Sequence, residues 1–277
     1  MNIAVLLRQV PDTEAKVVPD PDLRGRIMES EIKFILNPYD EYAVEEAVRI
    51  IERGGLAPGG QVPGGAGGLP LSGGGGEAVG FCIGPDRAET ALRSALALGL
   101  ARAVLVSDPA AVEADVVTQG RILAAAIKGF APSLILAGRE LIDTQEDALA
   151  AVVAHFLDIP HVLGAGKITL DGEKAVVLRE VEGGSLEIAA SLPAAVSCSK
   201  GLNEPRYPSL MAIKRSKAKE IRKVSLAELG VQSGPQKSRI AELKAPPPRA
   251  AGVRVEGEPA VVAAKGIEWM ADVAKVI

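Results

Sequence analysis

Histidine is the commonest side chain for moving a proton near neutral pH. This chain has two, His155 and His161, on either side of a Leu157-Asp158-Ile159-Pro160 turn. Their spacing is not that of a metal-binding pair such as H-E-x-x-H, and both read as helix-end or surface groups. No G-x-S-x-G elbow, Walker A sequence or G-x-G-x-x-G fingerprint occurs in a strand–helix setting, so hydrolytic triads, P-loop phosphoryl transfer and ordinary nicotinamide dehydrogenation lose their usual supports. Cys82 and Cys198 lie far apart without C-x-x-C spacing, which argues against a disulfide framework and a cysteine-held metal. The chain offers no convincing reaction centre of its own.

What it offers instead is three loops that would follow strands of a parallel sheet: Arg8–Thr13, Ile83–Asp86 and Gly138–Gln145. In open α/β sheets, ligands bind outside the carboxyl ends of the strands, where backbone N–H groups and helix N-termini favour phosphate. A nucleotide is one occupant that such loops suit; the other reading is that Gly84 and Gly138 only supply turns. A second feature is basic: Lys214, Arg215, Lys217, Lys219, Arg222 and Lys223 fall within ten residues, with Glu220 the only acid. The stripe is either a solvated face or a steering surface for an acidic partner, and it lacks the aromatic residues that stack nucleic-acid bases. Just upstream, Leu202–Met211 forms a proline-interrupted polar loop ending in Leu210. An apolar anchor beside a charged rim is a layout for transient docking.

The elements that must position these loops follow from the apolar pattern. Short apolar runs alternate with helical periodicity, the form of βαβ units and a mostly parallel sheet buried on both faces. Strands are expected at Ile3–Leu7, Ile32–Leu36, Ala78–Ile83, Ala103–Val106 and Ser133–Ala137. Helices are expected at Asp40–Glu52, Ala88–Leu98, Val117–Gly129 and Glu146–Leu157. Two-residue alternation from Lys167 to Cys198, punctuated by Asp171-Gly172 and Glu182-Gly183-Gly184, predicts a meander of hairpins. Gly54–Gly76 holds 12 glycines in 23 residues, a composition suited to a flexible insertion and not to a core. The expected organisation is one α/β domain over 1–230 and a C-terminal arm over 231–277, proline-rich and then helical across Val261–Val276.

Across 277 residues, 48% are hydrophobic, 24% charged and only 3% aromatic, with a net charge of −4. That excludes global disorder and gives no overall basic character for nucleic acid. The start of the chain carries no basic leader, and no apolar stretch approaches the roughly 18 residues of a membrane span. The expected location is cytoplasmic.

Six segments carry a family resemblance, in order across roughly residues 1–255: RQVPDT (Arg8–Thr13), NPYDEYAVEEAVRI (Asn37–Ile50), IGPDRAETALRSALALG (Ile83–Gly99), LILAGRELID (Leu134–Asp143), REVEGGSLE (Arg179–Glu187) and LNEPRYPSL (Leu202–Leu210). The sequence resembles the beta subunit of electron transfer flavoprotein. The resemblance implies a Rossmann-like, adenine-nucleotide-hydrolase-like fold, and a heterodimer whose alpha subunit holds the redox FAD, with the C-terminal arm packing on that subunit. It implies an electron carrier without catalytic residues of its own. Electrons would pass from flavin dehydrogenases, such as acyl-CoA dehydrogenases, towards an electron transfer flavoprotein:quinone oxidoreductase. It also implies AMP in this subunit's crevice, or a second FAD in flavin-bifurcating members. By motif, the nucleotide would touch Leu6, Asn37, Pro38, Tyr39, Asp40, Ile83, Gly138, Arg139, Ile142 and Asp143, and the loop near Thr13 would face the flavin. Leu210, with Arg206 and Tyr207, would dock the partner dehydrogenase. One departure stands out: Leu149 occupies the place of an expected phosphate-binding threonine, and Glu146 and Asp147 compete with phosphate for the same helix start. The alternative from another class is a stand-alone regulatory domain that binds AMP or ATP.

Overall fold

The computed structural model describes residues 1–23, 25–30, 32–53, 76–248 and 251–276. Residues 54–75 of the glycine-rich tract lie outside the described residues. In chain order the elements are β1 (Ile3–Leu7), β2 (Gln9–Pro11), β3 (Phe34–Leu36), α1 (Pro38–Glu52), β4 (Ala78–Ile83), α2 (Glu89–Leu98), β5 (Arg102–Val106) and α3 (Pro109–Val112). They continue with α4 (Val116–Lys128), β6 (Leu134–Gly138), α5 (Leu149–Leu157), β7 (His161–Asp171), β8 (Lys174–Val181), β9 (Gly184–Ser191), β10 (Ala194–Cys198), α6 (Leu210–Ser216), β11 (Ile221–Val224) and α7 (Pro259–Asp272).

Nine strands form one sheet in the order β11-β5-β4-β1-β6-β10-β7-β8-β9, parallel from β11 to β7 and antiparallel thereafter. β1 is the sequence Ile-Ala-Val-Leu-Leu, buried throughout, as a central strand covered on both faces must be. Ile3, Val5 and Leu7 join the core with α1 and α2, while Ala4 and Leu6 join the core with α4 and α5. The two-residue period of a strand thus divides one segment between two layers. The few aromatic residues leave Ala, Val, Leu and Ile to fill both. Helix α1 buries Ala43, Val44, Ala47, Val48 and Ile50 against the sheet, with Pro38 at its start and Asp40 and Glu41 in its first turn, where acidic groups match the helix dipole.

The expected elements are present with three corrections. The strand expected over Ile32–Leu36 narrows to β3 and pairs antiparallel with β2 in a separate two-stranded sheet, outside the main one. Lys167–Cys198 is not a meander to its end. β7 begins at His161, and the last strand, β10, returns to the interior of the sheet, parallel to both β6 and β7. β10 reads Ala-Ala-Val-Ser-Cys and is buried at every position, so burial on two faces decides its place where alternation alone suggested a hairpin. The helix expected from Glu146 begins at Leu149, because residues 141–148 form a turn closed by Gln145 N donating to Leu141 O and Leu141 N donating to Glu146 O.

Beyond β11 the chain is held at several points: Leu226 is buried in the core, Arg121 Nη2 donates to Gln232 O at 2.8 Å, and Gln236 Nε2 donates to Glu113 O at 2.5 Å. Asp115, the N-cap of α4, accepts from Thr118 N at 2.9 Å, from Ser238 N at 2.9 Å and from Lys237 N. Burial alone would raise its pKa, but these backbone donors prevail and pull it down to about 2. α7 contributes no buried residue. Among the described residues, no helix is long and apolar enough to cross a membrane.

Candidate functional site

The strand order reverses at β1, with β4 on one side and β6 on the other, so the crevice of the fold opens beyond Leu7 and Gly138. Asp40, in the first turn of α1, fills its floor. Its carboxylate accepts from Arg8 N at 2.7 Å, Arg8 Nη2 at 3.0 Å, Asn37 Nδ2 at 2.9 Å and Gly138 N at 3.2 Å. Asn37 closes the same network on its other side, donating from Nδ2 to Glu140 O at 2.9 Å and accepting from Ile142 N at 3.3 Å. Gly138 must be glycine for this approach: a Cβ there would lie 2.3 Å from Asp40 Oδ1 and 2.5 Å from the Tyr39 carbonyl carbon.

Arg8 also reaches the mouth of the crevice. Nη2 donates to Gly138 O at 3.2 Å and Nη1 to Glu146 Oε2 at 3.4 Å. Burial alone would lower the guanidinium pKa, but Asp40 first and then Glu146 hold it raised, so Arg8 stays charged. The other Glu146 oxygen, Oε1, accepts from Ala148 N at 2.5 Å and Leu149 N at 3.0 Å. A side chain from the preceding turn therefore caps α5.

The residues expected around a nucleotide are brought together, but they do not share one surface. Leu6, Asn37 and Asp40 have no exposed surface; Leu6 belongs to the core and the other two to the polar network. Pro38, Ile83 and Ile142 are half-buried, while Asp143 and Thr13 are exposed. Tyr39 and Arg139 line a separate cleft of about 220 Å³ with Arg179, Glu180, Ser199 and Lys200. Burial pushes the Tyr39 hydroxyl pKa up, and Glu140 adds to it. Arg8 and Glu146, the two charges that close the crevice mouth, were not singled out by sequence as a pair. The signal available was an arginine straight after a buried strand and an acid just before a helix.

The second candidate site is the segment after β10. Tyr207 is 97% exposed and Leu210 86% exposed, with Met211 and Ile213 exposed beside it on α6. Ser209 caps α6, its Oγ accepting from Ala212 N at 3.2 Å. The loop leading there is clamped to α1. Asn203 Nδ2 donates to Tyr42 O and Glu46 Oε2, both at 3.0 Å, and Arg206 Nε donates to Glu45 Oε2 at 2.8 Å and Nη1 to Glu52 Oε1 at 2.6 Å. Arg206 thus turns inward, while Tyr207 and Leu210 face out. The basic stripe also divides: Lys219 Nζ donates to Leu96 O and Leu100 O at the end of α2, and Lys223 pairs with Asp86. Lys214, Arg215 and Lys217 remain exposed.

The family model for the electron transfer flavoprotein domain matches residues 66–229. Electron transfer flavoprotein subunit beta of Syntrophomonas wolfei is 37% identical over 100% of this chain and 99% of its own. The chain belongs to the electron transfer flavoprotein beta-subunit family. The Bacillus subtilis subunit beta is 34% identical over the whole of both chains, and the Homo sapiens subunit beta is 32% identical over 92% of this chain and 93% of its own. Membership carries a role in electron transfer, association with a flavin and a partner alpha subunit. The matches to this electron transfer flavoprotein family run through both candidate sites, the crevice at β1 and the loop before α6.

Proposed function

We propose that this chain is the beta half of a heterodimeric carrier whose FAD is gripped mainly by the alpha subunit. It takes electrons from flavin dehydrogenases, acyl-CoA dehydrogenases among them, and delivers them to an electron transfer flavoprotein:quinone oxidoreductase in a cytoplasmic setting. The flavin supplies the redox chemistry when bound. This chain's residues supply distance, orientation and a landing surface, which need no general base.

The observation that carries this reading is Leu210, 86% exposed at the start of a helix capped by Ser209 and reached by a loop clamped to α1. An exposed large apolar side chain on a rigid mount suits a partner pocket. The nearby Lys214, Arg215 and Lys217 suit steering by charge, so encounter is fast and the interface stays small enough to release. Thr13, exposed after β2, is on the loop that faces the flavin in this reading. Residues 231–277 form the arm: Val261, Ile267, Trp269 and Met270 are exposed on or beside one helix that buries nothing of its own, and the alpha subunit is the surface that covers them.

The test is expression of this chain alone and together with its alpha subunit. Co-expression yields a yellow heterodimer whose flavin is reduced by a flavin dehydrogenase and its substrate. A colourless chain that pairs with no alpha subunit and binds ATP as a stable monomer overturns the proposal.

A further inference from the structure

We infer that the crevice at the β1 switch point is closed to nucleotide phosphate by the chain's own Glu146, so that this subunit carries neither AMP nor a second flavin there. The inference rests on the carrier reading for its partner and deepens it: the assembled protein would hold a single flavin.

The geometry is that of a phosphate site whose anion is built in. Phosphate at the end of a parallel strand uses the free amides of the next helix and a nearby cation. Here Ala148 N and Leu149 N, which open α5, both donate to Glu146 Oε1, and Arg8 Nη1 donates to Glu146 Oε2. Being tethered two residues away, the carboxylate competes at an effective concentration on the order of millimolar or above. The charge balance at the crevice mouth opposes a further anion: one guanidinium faces the two carboxylates of Asp40 and Glu146, with Asp143 exposed on the same turn. A phosphate would add charge of the sign already in excess.

The remaining groups fit a nucleotide no better. Leu149 has no hydroxyl and is 3% exposed in the core. Asn37 and Asp40 have their polar atoms engaged within the protein and no exposed surface. Arg8 Nε lacks a hydrogen-bond partner, but it is itself enclosed.

The direct experiment is the nucleotide content of the purified heterodimer, released by acid and separated by chromatography. The expected result is FAD equimolar with the heterodimer and no AMP. AMP near equimolar, or FAD at twice that level, overturns the inference. A heterodimer without FAD and without AMP overturns the carrier reading and leaves the closed crevice standing. In a second measurement, millimolar AMP leaves the Tm of the wild-type complex unchanged and raises that of Glu146→Ser, in which the helix amides and Arg8 are released. A wild-type Tm that rises with AMP, or a folded Glu146→Ser complex that AMP does not stabilise, counts against Glu146 as the closing group. Should that variant fail to assemble, the nucleotide content of the wild type still decides.

Discussion

Arg206 Nε lies 2.8 Å from Glu45 Oε2, and the same guanidinium reaches Glu52 Oε1 at 2.6 Å. One side chain of the loop before α6 thus bridges two acids on the same face of α1, seven residues and about two turns apart. Glu45 is almost wholly buried and also receives Arg49 Nε at 2.5 Å. Burial alone would raise the Glu45 pKa, yet Arg206 and then Arg49 hold it lowered. Removing Arg206 leaves that carboxylate with one cation, so Arg206→Ala is expected to cost about 1–3 kcal/mol, the scale of a lost charged hydrogen bond. Urea unfolding checks the stability, and faster proteolysis within 203–209 checks that the loop itself has loosened.

Leu210→Ala separates docking from folding. The side chain is exposed, so unfolding free energy should change by no more than about 0.5 kcal/mol. Truncating a docking anchor typically costs about 2 kcal/mol or more of binding, which corresponds to a rate loss of roughly 30-fold at subsaturating partner. Stopped-flow reduction of the heterodimer by a flavin dehydrogenase measures this. An unaltered rate would remove Leu210 from the landing surface.

Gly138→Ala tests the switch point. Its new methyl meets Asp40 Oδ1 and the backbone of Tyr39, neither of them the free end of a flexible chain. The expected cost is about 1–3 kcal/mol or more, as for overpacking elsewhere, and thermal unfolding should show a lowered Tm.

The tail's attachment should depend on acid. Asp115 has its pKa pulled to about 2 from an ordinary 3.8. A carboxylate with a depressed folded-state pKa contributes its stabilisation in full above the unfolded value and loses it as pH falls through the folded one. Between pH of about 4 and about 2, the 237–248 segment should become sensitive to an acid-active protease before the sheet unfolds. Asp115→Ala should show the same release at neutral pH, with a loss of about 1 kcal/mol from the lost cap of α4.

Much of this molecule was legible in its amino acids. Ile3–Leu7 and Ala78–Ile83 appear as strands at the residues the apolar runs marked, because a strand buried on both faces needs an uninterrupted apolar run whatever surrounds it. α1 begins at Pro38, two residues ahead of the start expected at Asp40, because proline suits the first helical position. The exposure of Leu210 was legible too, since an apolar residue in a polar, proline-bearing loop has no core to enter.

Other features belong only to the folded chain. Periodicity could not tell that Ala194–Cys198 slots between β6 and β7, because alternation records which faces are buried and not which strand is the neighbour. Arg206 read as a charge for a partner, yet it is held by Glu45 and Glu52, more than 150 residues away in sequence. Arg8, Asp40, Gly138 and Glu146 are likewise scattered along the chain and meet because the sheet reverses its order at β1. Local sequence sets the shape of each segment through backbone sterics and burial. Charge pairing across such separations is set by which strand ends the packed sheet brings within hydrogen-bond reach, so the crevice and what fills it were decided by tertiary structure.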